Sequence, residues 1–156
     1  MATGTIKWFS QALLDLGNKI HNLSSDTLKL GLITTAVPPT INTAAPHWGG
    51  TGTTNFAANQ VATGGTSYTA PLTMTTVTWT LVSNIPTLRF DIIVLNQDAA
   101  GATNIAYGIL YNSIDANKRA LAYIELSATG TLSLVAATLT LDPSGVGNDV
   151  LTLTQS

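Results

Sequence analysis

Residues 28–35 read Leu28-Lys29-Leu30-Gly31-Leu32-Ile33-Thr34-Thr35. Leu28, Leu30 and Leu32 alternate with Lys29, Gly31 and Ile33, the period of two that belongs to a strand. Upstream the period differs. From Ile6 to about Asn22, Phe9, Leu13, Leu16 and Ile20 recur at steps of three and four, with Ala12 beside them. That spacing predicts one short N-terminal α-helix within a helical segment spanning residues 1–23. Thr3 or Thr5 is placed to cap its start, and Gly17 weakens its last turns, so it ends there or continues to His21.

Downstream, Pro38-Pro39 forbids ladder pairing. Residues 36–67 then read as a long Thr/Gly-rich loop holding Pro46-His47-Trp48-Gly49-Gly50 and Gly64-Gly65. A loop of this length is functional or interface-forming, or it conceals short strands such as residues 59–63. Further strands are expected at 71–83, with a bulge or bend near Thr75-Thr76, and at 87–96, 104–111, 119–127, 131–141 and 150–154. Residues 112–118 join two of these as a hairpin or a crossover. Seven or eight strands at this spacing predict an all-β sandwich, jelly-roll or immunoglobulin-like. Long, bending strands and an early long loop favour the jelly roll, in a single domain over residues 1–156.

Composition supports this reading. The chain holds 26 Thr among its 156 residues, and threonine favours the pleated, half-buried surface of a sheet. It is 45% hydrophobic and only 9% charged, which is not the composition of a disordered chain. Its size allows a core without staples. With no cysteine, disulfides and thiolate chemistry are absent. Six Lys+Arg and a net charge of −2 give no large basic face, so no nucleic-acid partner is expected. Mean hydropathy is +0.29, yet no apolar run is long enough to span a bilayer, so no membrane partner is expected either. Residues 1–5 lack the charged and apolar regions of a secretory signal. A weakly charged, apolar surface is prone to association, which suggests that partner molecules cover it.

Candidate chemistry is sparse. The two histidines, His21 and His47, lack a third zinc ligand in sequence, and no phosphate-binding or nucleophile-elbow motif is present. Asp91 and Glu125 sit on expected strands and are the best pair for a glycosidase, but pairing with Arg89, Lys118 or Arg119, or exposure on the outer face, explains them more simply. Asp142, Asn148 and Asp149 bracket a glycine turn as an Asx turn or a calcium site. Trp48 either stacks on a sugar or anchors a partner, or it packs on the sandwich. Trp79 reads as core. Tyr107, Tyr111 and Tyr123 read as sheet-edge residues with wet hydroxyls. No catalytic residue, cofactor or metal is assigned, and the chain is not read as an enzyme.

In order along the chain stand a short helix, Asp26-Thr27-Leu28-Lys29-Leu30-Gly31-Leu32-Ile33-Thr34-Thr35, a loop with a tryptophan, and Ala62-Thr63-Gly64-Gly65-Thr66-Ser67-Tyr68. Then come Trp79-Thr80, the apolar run Leu88 to Leu95, and Ile105-Ala106-Tyr107-Gly108-Ile109-Leu110. From about residue 5 to residue 154 this order resembles the jelly-roll capsid cement (decoration) proteins of tailed bacteriophages. The resemblance implies a structural virion protein on the phage head surface, made in the host cytoplasm. It would bind the major capsid protein and copies of itself, as a dimer or trimer. Trp8, Phe9, Leu13, Leu16, His47 and Trp48 are the interface candidates, because the N-terminal segment and the Thr/Gly loop look able to reach beyond one sandwich. The alternative is a tail or fibre module that binds host-surface glycans through Trp48 and the tyrosines.

Overall fold

The computed structural model describes residues 6–141 and the backbone of residues 151–152. The chain is an all-β sandwich with one short helix. It opens with strand β1 (Ile6–Trp8) and helix α1 (Ser10–Gly17), followed by β2 (Leu28–Ile33). The long loop holds β3 (Pro46–His47), β4 (Thr54–Asn55) and a 3-10 turn (Phe56–Asn59). Then come β5 (Leu72–Thr73), β6 (Thr78–Val82), β7 (Ile85–Arg89) and β8 (Ile93–Leu95). The chain continues through β9 (Tyr107–Asn112), β10 (Ala120–Glu125), β11 (Leu139–Leu141) and β12 (Leu151–Thr152).

The main sheet runs β1-β10-β9-β2-β5, antiparallel throughout. β9 lies at its centre and every residue of it is buried, so both faces are covered. This explains its near-continuous apolar run where a half-exposed strand would alternate. The link after β9 makes a hairpin with β10, one of the two forms expected. A bulge between Ala120 and Ala122 leaves Leu121 unpaired in the ladder, and its carbonyl accepts the Phe9 N–H at 3.0 Å.

Register sorts the two faces. Gly31, Ile109 and Tyr123 share one face with Lys29 and Tyr111. Trp48 lies on this face, stacked on Tyr111 with ring centroids 5.3 Å apart and planes 8° off parallel. A Cβ at Gly31 would fall inside the Trp48 indole, so glycine is needed there for the ring to approach. Phe9 packs beside it against Phe56 and Tyr123. On the opposite face stand Leu28, Leu30, Leu32, Leu110, Ala122, Ile124 and Trp8. There Trp8 meets Trp79 of β6 edge-to-face at 6.1 Å, joining the main sheet to the small sheet β12-β7-β6.

Several expected boundaries are corrected. The helix spans Ser10–Gly17 only, and Ile6–Trp8 is a strand; Phe9 is the N-cap, where a threonine was expected. The stop at Gly17 has a backbone cause. Lys19 turns left-handed (φ 58°), and the N–H groups of Lys19 and Ile20 return to the carbonyls of Leu16 and Asp15. The expected strand 71–83 divides into β5 and β6 at the predicted bend, where Thr76 has φ 51° and the Asp91 carboxylate accepts both Thr75 and Thr76 hydroxyls. The run 87–96 divides too: Leu88 and Phe90 are buried, but Ile92 and Val94 are exposed and Leu95 is buried, so the inward face switches at 90–92. The run 131–141 is a strand only at Leu139–Leu141. Before it, Ser133 draws the chain into a turn, its hydroxyl accepting the Val135 N–H and its carbonyl the N–H groups of Ala136 and Ala137.

Beyond Leu30, β2 outruns its partner β5. Val61 donates to the Leu32 carbonyl there, and the buried Tyr68 hydroxyl accepts the Leu32 N–H at 2.9 Å. Burial pushes that hydroxyl up to about 12, so it stays protonated. Tyr68→Phe leaves a buried N–H without an acceptor and is expected to lower stability by about 1–2 kcal/mol. Gly31→Ala, which drives a Cβ into Trp48, is expected to reach about 3 kcal/mol. Urea unfolding of the two variants beside the parent checks both the losses and their order.

Candidate functional site

The largest polar feature of the interior lies where α1 and residues 18–27 meet the β9–β10 hairpin. Asn112, buried at the end of β9, organises it. Its carbonyl oxygen accepts the backbone N–H groups of Ile114 (3.1 Å) and Asp115 (3.3 Å). This fixes which way the amide points. The amide nitrogen then donates to Asp26 Oδ2 (2.5 Å) and to His21 Nδ1 (3.1 Å). An Nδ1 that accepts requires the His21 proton on Nε2, which faces Asp15 Oδ2 at 3.9 Å. Burial is the main cause that lowers the His21 pKa below 6.5, against the pull of Asp15, Asp115 and Asp26 and with the push of Arg119.

Asp15 is the unusual member. It is 3% exposed, although it sits on a helix that offers four leucine and alanine side chains nearby. Its Oδ1 accepts from Gln11 Nε2 at 2.9 Å, and Arg119 Nε stands 3.7 Å from Oδ2. Arg119 also bonds Asp115 Oδ1 at 3.0 Å. A buried carboxylate needs such a partner, because its desolvation is otherwise uncompensated. The cluster therefore works as a staple. It ties α1 to the hairpin link and thereby decides which way the helix rolls.

The roll keeps Phe9 and Ala12 of the expected stripe buried and Leu16 half-buried, but turns Leu13 outward. Ala12 and Asp15 face inward, whereas Leu13 is 39% exposed and Leu14 57% exposed. Ile41, 48% exposed, is held at the start of the helix because its carbonyl accepts the Ser10 N–H at 2.8 Å. These three side chains form an apolar outer surface. Of the interface candidates read from sequence, Leu13 belongs to it. Leu16 and Trp8 are half-buried against the core, Trp8 on Trp79. Phe9, His47 and Trp48 are corrected: all three are buried within this chain. The loop that carries His47 and Trp48 folds down on the sheet, with the Trp48 backbone N–H donating to the Lys118 carbonyl and Gly52 closing over the His47 ring. Leu14 and Ile41 were missed because no local pattern tells which side of a short helix a distant arginine will claim.

The tyrosines are corrected as well. Tyr107 and Tyr111 lie on the central strand and Tyr123 on its neighbour, and all three are buried. Burial raises the hydroxyl pKa of Tyr111 and Tyr123 above 10. Asp91 braces the turn before β6, and exposed Glu125 ends β10 in a different sheet. Asp98 is wrapped by the Gly64-Gly65 loop: its carboxylate accepts the Thr66 N–H and hydroxyl, the Ser67 hydroxyl and the Ala100 N–H. Those bonds hold its pKa down at about 2. Among the described residues no group of three or more His, Asp or Glu is arranged to hold a metal ion, and no helix is long and apolar enough to cross a membrane. Asp142, Asn148 and Asp149 lie outside the described residues. No family model matches the chain, and neither a curated protein nor a solved structure matches it.

The staple has a pH signature. A histidine whose folded pKa lies below 6.5 binds its proton more readily in the unfolded chain, so its contribution to stability is complete above pH 6.5 and declines as pH falls below it. The urea midpoint is expected to stay level from about pH 8 to 7 and to fall between about pH 6.5 and 5. His21→Gln, which keeps an acceptor for Asn112 and cannot titrate, is expected to flatten that fall.

Proposed function

We propose that this chain is a structural subunit that acts by binding protein surfaces: a capsid cement subunit on the head of a tailed bacteriophage. The observation that carries the reading is the exposed apolar side of α1 beside Ile41. An isolated chain gains nothing by burying Asp15 while Leu13, Leu14 and Ile41 face water. Covering one leucine side chain is worth about 1.5–3 kcal/mol, so a partner laid on this surface recovers several times that of an ordinary polar contact. A neighbouring shell protein with an apolar groove fits it. The weak charge of the chain helps, since few ions must be desolvated when the surface is covered. The β-rich sandwich is compatible with the jelly roll of the family that the sequence resembles.

The glycan-binding alternative depends on Trp48 and the tyrosines. Their rings are taken up by the core, so no observation favours it.

Immunoblotting of gradient-purified tailed-phage particles from the source of this sequence is expected to find the chain in the head fraction. Its absence from the particles overturns the reading. On shells stripped of the chain, Leu14→Asp is expected to weaken rebinding by about tenfold or more while the urea midpoint of the free protein is kept. Unchanged rebinding moves the contact surface elsewhere.

A further inference from the structure

The small sheet β12-β7-β6 ends at β6, and among the described residues the outer edge of β6 has no partner. Natural edges are blunted by charge, proline or a bulge. β6 reads Thr78-Trp79-Thr80-Leu81-Val82, with no charge and no proline, and its register against β7 is unbroken. The outer strand β1, by contrast, carries Lys7.

The hairpin fixes which groups face outward. Ser83 (φ 50°) and Asn84 (φ 65°) form a two-residue turn with both central residues left-handed, so the flanking pair Val82 and Ile85 exchanges both ladder bonds. Alternation makes Thr80 with Thr87 and Thr78 with Arg89 the next bonded pairs. Leu81 stands opposite Pro86, which has no N–H to give, as this alternation requires. The N–H and C=O of Trp79 and Leu81 therefore point away from β7. Leu81 is also 68% exposed, the most exposed large apolar side chain described.

We infer that β6 pairs antiparallel with β6 of a second copy of this chain, about a two-fold axis at Thr80. In this register Trp79 faces Leu81 of the second copy, and Leu81 faces Trp79 of the second copy. Each of these pairs exchanges both backbone bonds, and Thr80 meets its own equivalent as the intervening non-bonded pair. Every cross-strand pair is favourable: an aromatic ring on an aliphatic chain, threonine on threonine, and Thr78 on Val82. No like charges oppose one another, and the interface is self-complementary, as a two-fold contact must be. The sheet continues through the axis, and Leu81 gains the cover it lacks. The choice of a second copy as occupant rests on the reading of the chain as an assembly subunit; the edge geometry does not.

The chain has no cysteine, so one introduced thiol reports on the axis. In the non-bonded pair of an antiparallel ladder the Cβ atoms approach within disulfide range. Thr80→Cys under mild oxidation is expected to form a covalent dimer at least about tenfold faster than Thr78→Cys, whose equivalents lie off the axis. Sedimentation equilibrium of the parent is expected to give twice the chain mass. Leu81→Pro, which removes an outward N–H, and Leu81→Lys, which charges the edge, are both expected to give folded monomers whose urea midpoint, unlike that of the parent, does not rise with protein concentration. If the proline variant does not fold, the lysine variant decides. A parent that is monomeric at every concentration, or Thr80→Cys that links no faster than Thr78→Cys, overturns the inference. Such a result with attachment to shells retained sinks the β6 pairing alone; loss of shell attachment with the dimer intact sinks the cement reading alone.

Discussion

The approach of the Trp48 ring to the backbone of Gly31 is the contact on which the rest depends. It is possible only because β2 carries a glycine at the point where a side chain would otherwise stand. With the indole seated on Gly31 and stacked on Tyr111, a loop of some thirty residues becomes a lid on the central sheet. Phe56 follows Trp48 down through the short β3–β4 pairing, and Asn55 secures the descent by accepting the N–H groups of Gly49 and Ala57. Phe56 then provides the surface against which Phe9 stacks, and Phe9 is the residue from which α1 starts. The position of the helix is thus inherited from a loop distant in sequence.

What was legible follows from how local each cause is. β2 is set by alternation, and β9 and β10 by apolar runs joined through a polar link of hairpin length, and these are written in adjacent residues. The bend near Thr75-Thr76 was legible because a change in apolar phase marks it. The turn at residues 134–136 carries a similar mark, the apolar phase shifting from Leu132 and Leu134 to Leu139 and Leu141, but the expected strand ran through it, whereas Ser133 captures the backbone there. The helix failed for a different reason. Its apolar stripe is real, but Phe9 lies outside the helix and a stripe says nothing about what Asp15 will find. Asp15 takes an inward place beside Arg119 of the far hairpin, so Leu13 and Leu14 are exposed while Leu16 stays half-buried. Two of the three side chains of the candidate surface, Leu14 and Ile41, were hidden by that long-range pair. Trp48 was open to two readings, and only the glycine opposite it decides between them.

The same cluster bears on how the molecule meets its surroundings. A helix of eight residues is too short to hold its orientation by propensity. Here the orientation is held by the directional bond from Gln11 and by the charge of Arg119 and the ring of His21 close to the Asp15 carboxylate. Directional bonds resist rolling in a way that a leucine stripe does not, because leucines slide past one another at little cost. Burying the polar residue and exposing the apolar ones is therefore a stable arrangement, provided the Asp15 carboxylate keeps its partners.

Two surfaces of different kind follow from this. The outer side of α1 offers shape and apolar area but no backbone groups, so it suits a groove on a different protein. The edge of β6 offers paired donors and acceptors in a fixed order, so it suits an added strand. The chain is only 9% charged, so few charges are present to orient a partner at a distance. Recognition in this molecule must accordingly be decided at contact, by fit and by ladder register, and it should depend little on salt. A subunit that meets its neighbours many times over on a repeating surface can work under that constraint, since repetition supplies the local concentration that long-range attraction does not.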